Sequence, residues 1–208
     1  ATISPDPRTT ALNYNQDISL TVTAQNGVDK TVYTVRKDVP NKVDRGIRNG
    51  SGKVLWSKKL QSELGITALH LTTSLAVVND YVVINTRNEA SMYLDRKNGE
   101  KVGTMPNMGS IVGGLTNFFA TADDGDNILV CNLAPNTGTY KVWRINGVNG
   151  TPELYIDWTP SPIVGRKLSI KGSLDGDAII TATLMGAAKS FARWQVKDGT
   201  LLSREPEI

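Results

Sequence analysis

Three times along the chain the same succession of segments recurs, and no other feature limits the fold as sharply. In the first copy a strand runs into the turn Asn79-Asp80. Tyr81 to Thr86 then reads as a second strand, Arg87-Asn88-Glu89 as a polar turn, Ser91 to Asp95 as a third strand, and Asn98-Gly99 as the turn into a fourth. The second copy runs Asp124-Gly125-Asp126, Asn127 to Cys131, Tyr140 to Ile145, Asn149-Gly150, and the third runs Asp175-Gly176-Asp177, Ala178 to Ala182, Phe191 to Val196, Asp198-Gly199. A partial copy ends in Ser51-Gly52-Lys53-Val54-Leu55-Trp56. The last-turn glycines stand at 52, 99, 150 and 199, spaced by 47, 51 and 49 residues. Four short strands per repeat at such a period predict the blades of a β-propeller. Counting back from the last glycine, Leu94 and Trp194 fall at the same position, and Trp143 falls two residues earlier. One large apolar residue per repeat is therefore expected to pack between neighbouring sheets. The second strands, YVVINT, NILVCN and AIITAT, are apolar at most positions and are expected to be buried on both faces.

Composition excludes several classes. Of 208 residues 39% are hydrophobic and 21% charged, which is ordinary for a globular chain. No apolar run approaches the roughly 18 residues of a membrane helix. The net charge of +3 and pI of about 9.0 come from interspersed residues. The densest basic stretch, Arg36, Lys37, Lys42, Arg45 and Arg48, is broken by Asp38 and Asp44 and reads as a solvated linker, not a nucleic-acid stripe. The single cysteine, Cys131, cannot form an internal disulfide and sits in an apolar strand as a small hydrophobe.

Residues 1–38 follow another pattern. Ile18 to Ala24 and Thr31 to Arg36 alternate with period two around Asn26-Gly27, a hairpin signal. Two or three strands cannot bury a core alone. Leu20 to Gly27 and Lys30 to Val35 resemble the closing hairpin of the small Ig-like modules near the N-termini of Bacteroides surface lipoproteins. Asp95-Arg96-Lys97-Asn98-Gly99-Glu100-Lys101 resembles the turn that leads into the outer strand of quinoprotein-like propeller blades. Together the two halves resemble a family of Bacteroides outer-membrane lipoproteins with an Ig-like module followed by a propeller. The resemblance implies a cell-surface protein at the bacterial outer membrane, a chain that begins part-way through a longer polypeptide, and a lipid anchor upstream of it. It implies no catalytic residue and no cofactor.

The expected organisation is thus all-β: the end of an Ig-like module over 1–38, a linker over 39–50 with Pro40, Gly46 and Gly50, and about three and a half blades over 51–208. A closed ring has typically four to eight blades, so the remaining blades are expected from the same gene or another chain.

Candidate chemistry is sparse. His70 is the only histidine, and a metal site or a nucleophilic triad needs several convergent partners. The Asp-Gly-Asp segments at 124–126 and 175–177 lack the further ligands of a calcium loop and fall where tight hairpins need Asp and Gly. Gly109 to Gly114 lacks the Gly-Lys-Ser/Thr ending of a phosphate loop. In four-stranded blades the loops from second to third strand share one face with the connections between blades, and binding residues concentrate on such loops. The region singled out is therefore Arg87, Asn88, Glu89, Asn107, Asn136, Trp158, Arg166 and Lys189. Trp158 lies beside Thr159-Pro160-Ser161-Pro162, in what reads as a connection running from Trp158 to Arg166. There it either stacks on a sugar ring or anchors the loop. The function expected is binding without catalysis, of a glycan or an envelope protein. A polysaccharide-acting enzyme is an alternative; it would need a second carboxylate besides Glu89. A structural scaffold is another.

Overall fold

The computed structural model describes residues 1–14, 16–36, 53–67, 72–87, 89–186 and 190–208. The linker over 39–50, His70, Asn88 and Lys189 lie outside the described residues, as do Lys37, Asp38, Ser51 and Gly52. The chain forms two compact units, Ala1–Lys53 and Val54–Ile208.

The first unit carries one antiparallel sheet in the order β1 (Thr2–Ser4), β2 (Ile18–Thr23), β3 (Lys30–Val35). The Asn26 side chain makes its hairpin: Oδ1 accepts the Val28 and Asp29 amides, and Nδ2 donates to Asp29 Oδ2 at 2.6 Å. The register sets Ile18 opposite Val35 and Leu20 opposite Tyr33. Alternation therefore gathers the apolar residues on one face. Ile18 is buried, whereas Tyr33 remains 56% exposed.

The second unit is three four-stranded antiparallel sheets in chain order, each a meander. The first holds β4 (Thr72–Val78), β5 (Tyr81–Thr86), β6 (Met92–Asp95) and β7 (Lys101–Thr104). The second holds β8 (Thr116–Asp123), β9 (Asn127–Leu133), β10 (Gly138–Asn146) and β11 (Glu153–Ser161). The third holds β12 (Val164–Gly172), β13 (Ala178–Leu184), β14 (Phe191–Lys197) and β15 (Thr200–Leu201). A short 3-10 turn, Met108–Ser110, lies between the first two sheets. The first strands are neighbours: β8 packs against β4 on one side and β12 on the other.

The sheets pack face to face, and pleat alternation decides which residues meet. Val83, Val78 and Ala76 of the first sheet meet Ile128, Val130, Trp143 and Ile145 of the second. Leu129, Cys131, Tyr140 and Val142 on the opposite face of the second sheet meet Ile180, Ala192, Trp194 and Val196 of the third. Leu94 faces a smaller cluster formed with Leu64 and Ile66. Leu94, Trp143 and Trp194 thus each point at the element that precedes their own sheet. Fully burying side chains of this size stabilises by about 1.5–3 kcal/mol each, so these contacts dominate the cohesion of the series.

Three sequence expectations change. Lys53 to Lys59 forms no strand. Trp56 lies over the Asn98-Gly99 turn instead, with Nε1 donating to the Arg96 carbonyl at 2.8 Å. A Cβ on Gly99 would sit 2.6 Å from the Trp56 ring, so the glycine is required by the indole above it as well as by its φ of 72°. The described part of the half copy, 53–60, is therefore a cover on the first sheet rather than a strand. Secondly, β13 is not buried on both faces: Ile180 and Ala182 are buried, but Ile179 is 38% exposed. The third sheet is last in the series, and among the described residues no sheet packs on its outer face. Thirdly, β11 continues through Thr159-Pro160 to Ser161, leaving only Pro162-Ile163 between the second and third sheets.

Candidate functional site

Strand pairing shows which loops share an end. In each sheet the start of the first strand pairs with the end of the second: Thr72 with Thr86, Thr116 with Leu133, Val164 with Leu184. Each of these pairings then slips before the next pair, so every first strand carries an irregularity near its start. Extra residues in a strand re-aim side chains and occur often beside functional sites. In β8 the irregular stretch includes Phe119, and in β12 it includes Arg166. Gly165 makes this possible: its φ is 113°, and a Cβ there would fall on the Asn132 carbonyl oxygen. The β9–β12 seam closes beside it, where the Ala134 amide donates to Val164 O at 2.9 Å.

At this end two of the singled-out residues converge. The Arg87 guanidinium lies over the Phe119 ring, 5.1 Å from its centroid, and Arg166 lies 5.4 Å from the same centroid. Arg87 follows β5 directly and Arg166 belongs to β12, so one aromatic ring of the middle sheet gathers a cation from each neighbouring sheet. Phe119 is 6% exposed and serves as a platform for the arginines, an arrangement that guanidinium planarity favours. Arg166 is exposed, and its Nε donates to Met185 Sδ at 3.1 Å.

Beneath the ring, Asn85 fixes the irregular stretch. It is fully buried; Nδ2 donates to Thr73 Oγ1 at 2.8 Å and to the Phe118 and Phe119 carbonyls at 3.2 and 3.4 Å, while Oδ1 accepts Ser91 Oγ. Asn132 occupies the matching place in the second copy. Its Oδ1 accepts the Lys141 amide and its Nδ2 donates to Thr139 O. The signal was present in the sequence as one asparagine near the end of each of two otherwise apolar strands, YVVINT and NILVCN.

The remaining singled-out residues fall differently. Glu89, Asn107 and Asn136 are exposed in the connections at this end; Asn107 has a left-handed φ of 59° before the 3-10 turn. Trp158 is not an exposed loop aromatic. It lies within β11 opposite Tyr140, is 8% exposed, and meets Trp194 edge-to-face with centroids 6.0 Å apart. Strand alternation puts it on the inward face with Ile156, so it belongs to the core.

The other end of the sheets holds the acidic turns, where Asp124, Asp175 and Asp177 are engaged internally. Asp124 accepts the Asp126 and Asn127 amides on Oδ1 and the Leu174 amide on Oδ2 at 2.7 Å, tying the second sheet to the third. Burial opposes ionisation of Asp124, but these amides outweigh it and hold its pKa below the ordinary aspartate value. Buried Asn127 donates to Asp175 at 2.9 Å and accepts Arg144 Nε and Nη2 at 3.1 and 3.0 Å; Arg144 also pairs with Asp175 at 2.5 Å. Asn127, Arg144, Asn146, Thr151 and Glu153 line an open cavity of about 460 Å³ there. Among the described residues no group of three or more His, Cys, Asp or Glu side chains is placed to hold a metal ion. Cys131 is fully enclosed, and burial pushes its thiol up to about 11, which leaves no thiolate for chemistry near neutrality.

Comparison with known proteins identifies relatives of fold. A solved structure of a DUF4623 family protein from Bacteroides eggerthii DSM 20697 superposes with a TM-score of 0.57 at 13% identity, over 92% of this chain and 46% of that one. This chain thus spans about half the length of the protein it matches. No curated protein matches. Residues 1–37 match the model of a second family, described as Domain of unknown function (DUF8499). Residues 55–207, which take in all three four-stranded sheets, match a family model over most of the chain, and the chain belongs to that family, described as Domain of unknown function (DUF8500).

Proposed function

We propose that the chain is a non-enzymatic binding protein of a bacterial cell surface that engages a glycan or an envelope protein through the irregular-strand end of its sheets. The observation that carries this reading is the convergence of Arg87 and Arg166 on Phe119, where the second-to-third-strand loops and inter-sheet connections meet. In this reading the three sheets are consecutive blades of an incomplete propeller, with further blades supplied by the same polypeptide or another chain. The series of neighbouring first strands, and the similarity to a protein about twice as long, support it. The three-stranded sheet is then the end of an Ig-like module, and an upstream lipid anchor holds the protein at the outer membrane; the fold likeness to a Bacteroides protein is in keeping with that setting. The test is affinity gel electrophoresis of the full chain against a polysaccharide panel, with reducing ends assayed on the same samples. Retardation without release of reducing ends is expected. Release would replace the reading with a polysaccharide-acting enzyme, and silence on every glycan would remove the glycan half of it.

A further inference from the structure

We propose that Asn149 is a modification site: its side-chain amide deamidates spontaneously, so that the turn between β10 and β11 comes to carry aspartate or isoaspartate. This goes beyond the binding reading above and does not rest on it.

Asn-Gly pairs occur at 26–27, 49–50, 98–99, 146–147 and 149–150, and the pair at 49–50 lies outside the described residues. In such a pair the backbone nitrogen after asparagine can attack its side chain, because glycine has no Cβ to shield the approach. The structure separates the four described pairs. In three of them both reacting groups are engaged. The Gly27, Gly99 and Gly147 amides donate to the Ala24, Asp95 and Asp126 carbonyls at 3.0, 2.8 and 2.9 Å. Asn26 Oδ1 accepts the Val28 and Asp29 amides, Asn98 Oδ1 accepts the Glu100 amide, and Asn146 Nδ2 donates to Asn127 Oδ1. Asn149 is exposed, and its side chain makes no hydrogen bond among the described residues. The Gly150 amide meets no acceptor there at hydrogen-bonding geometry. The repeat sharpens the contrast. Gly99, Gly150 and Gly199 hold the same last-turn place, and the Gly199 amide, like that of Gly99, is bound, to the Gly176 carbonyl at 2.7 Å. Glycine is nonetheless required at 150, where a Cβ would fall on the Asn146 carbonyl oxygen, so the fold keeps the reactive pairing in place.

The step balances without an oxidant or cofactor. The Gly150 nitrogen loses its proton to hydroxide and attacks Asn149 Cγ. The N–Cγ bond forms, the Cγ–Nδ2 bond breaks, and ammonia leaves. Water then opens the cyclic imide at either carbonyl, giving aspartate or isoaspartate. Asn149 stands between Asn146 and Thr151, which line the open cavity together with Arg144. Either product adds a carboxylate beside that lining and lowers the net charge of +3 by one. Isoaspartate also lengthens the turn backbone by a methylene.

The experiment incubates the full chain at pH 8, native and in guanidinium chloride, and follows each pair by isoaspartate-sensitive peptide mapping. In the native protein Asn149 is expected to convert about tenfold faster, or more, than Asn26, Asn98 or Asn146, each of which must first break a hydrogen bond. In denaturant the four rates should draw together, since the reacting groups are then alike. Conversion at Asn149 should also rise with pH, as removal of the Gly150 proton requires. In Asn149→Gln, whose longer side chain closes a less favourable ring, conversion at 149 should fall to background while the other three pairs keep their rates. Native conversion at Asn149 no faster than at any one of the other three would overturn the proposal. A native ranking that persists unchanged in denaturant would overturn it too, by assigning the difference to local sequence and not to the fold.

Discussion

Replacing Asn127 with alanine should cost more than any other single polar truncation at the acidic-turn end. The side chain is fully buried; it accepts from Arg144 Nε and Nη2 and donates to Asp175. Weaker contacts reach Asn146 and Asp124, each at 3.3 Å. Bonds to charged groups contribute about 1.5–3 kcal/mol each, but the losses overlap. Arg144 keeps Asp175 and the Leu174 carbonyl, and Asp124 keeps three backbone amides. The net loss is therefore about 3 kcal/mol, or a fall in Tm of about 6–12 °C for a unit of this size. Differential scanning fluorimetry at pH 7 measures it. The pH dependence provides a second reading. The pKa of Asp175 lies below its ordinary value, first through the Asn127 amide and then through Arg144. A lowered folded pKa gives stability that is complete above the unfolded value of about 3.9 and is lost as pH falls through the folded one. The gap between the native chain and Asn127→Ala should thus narrow as the pH drops below about 4. A Tm loss under about 2 °C at pH 7, or a gap that widens in acid, would refute the account of Asn127 as the clasp between second and third sheets.

Gly165→Ala should destabilise the same unit by at least about 2 kcal/mol, because the added methyl collides with the Asn132 carbonyl and φ is 113°. Gly176→Ala, where a Cβ meets nothing within 4 Å, should change stability by less than about 0.5 kcal/mol; equal effects in thermal melts would count against the close approach. Cys131, enclosed and with its thiol raised to about 11, should resist a thiol-reactive dye in the native protein at pH 8 and react fully in denaturant. Rapid native labelling would contradict the burial.

Much of the fold was legible because local chemistry and packing agree. Asn79-Asp80, Asp124-Gly125-Asp126 and Asp198-Gly199 each separate two apolar runs, and each is a turn in the structure. Asn79 and Asp198 adopt the left-handed φ that makes such residues turn formers. What misled was packing between distant residues. Pro160 and Pro162 read as breakers after Trp158, yet β11 runs through the first and Trp158 is drawn inward by Tyr140 and Trp194. Lys53-Val54-Leu55-Trp56 has the pattern of a fourth strand, but Trp56 finds its partners on the Asn98-Gly99 turn. Of the singled-out region, Arg87 and Arg166 do meet, through a ring that the sequence did not flag. Phe119 looked like one more apolar residue of a strand, and a register slip leaves no mark in a single sequence.

The two ends of the sheets use their polar residues in different ways, and that contrast supports the proposed binding surface. At the acidic turns, several carboxylates join one sheet to the next. Asp124 reaches the Leu174 amide, Asp175 closes on Arg144 and Asn127, and Asp123 accepts the Val77 amide, while Asp177 holds Lys197 within the third sheet. A ligand arriving there would have to break contacts that hold the sheets together. At the irregular ends the second and third sheets are joined by backbone, through the Ala134 amide to the Val164 carbonyl, and the first and second by the uncharged Asn85 amide, which donates to the Phe118 and Phe119 carbonyls. Buried Asn85 and Asn132 complete that framework without any charge. Arg87 and Arg166 add to it by stacking on Phe119 from the first and third sheets. The irregular end thus holds its sheets together largely with uncharged and aromatic contacts, which leaves the exposed Arg166 the feature in keeping with the proposed binding surface.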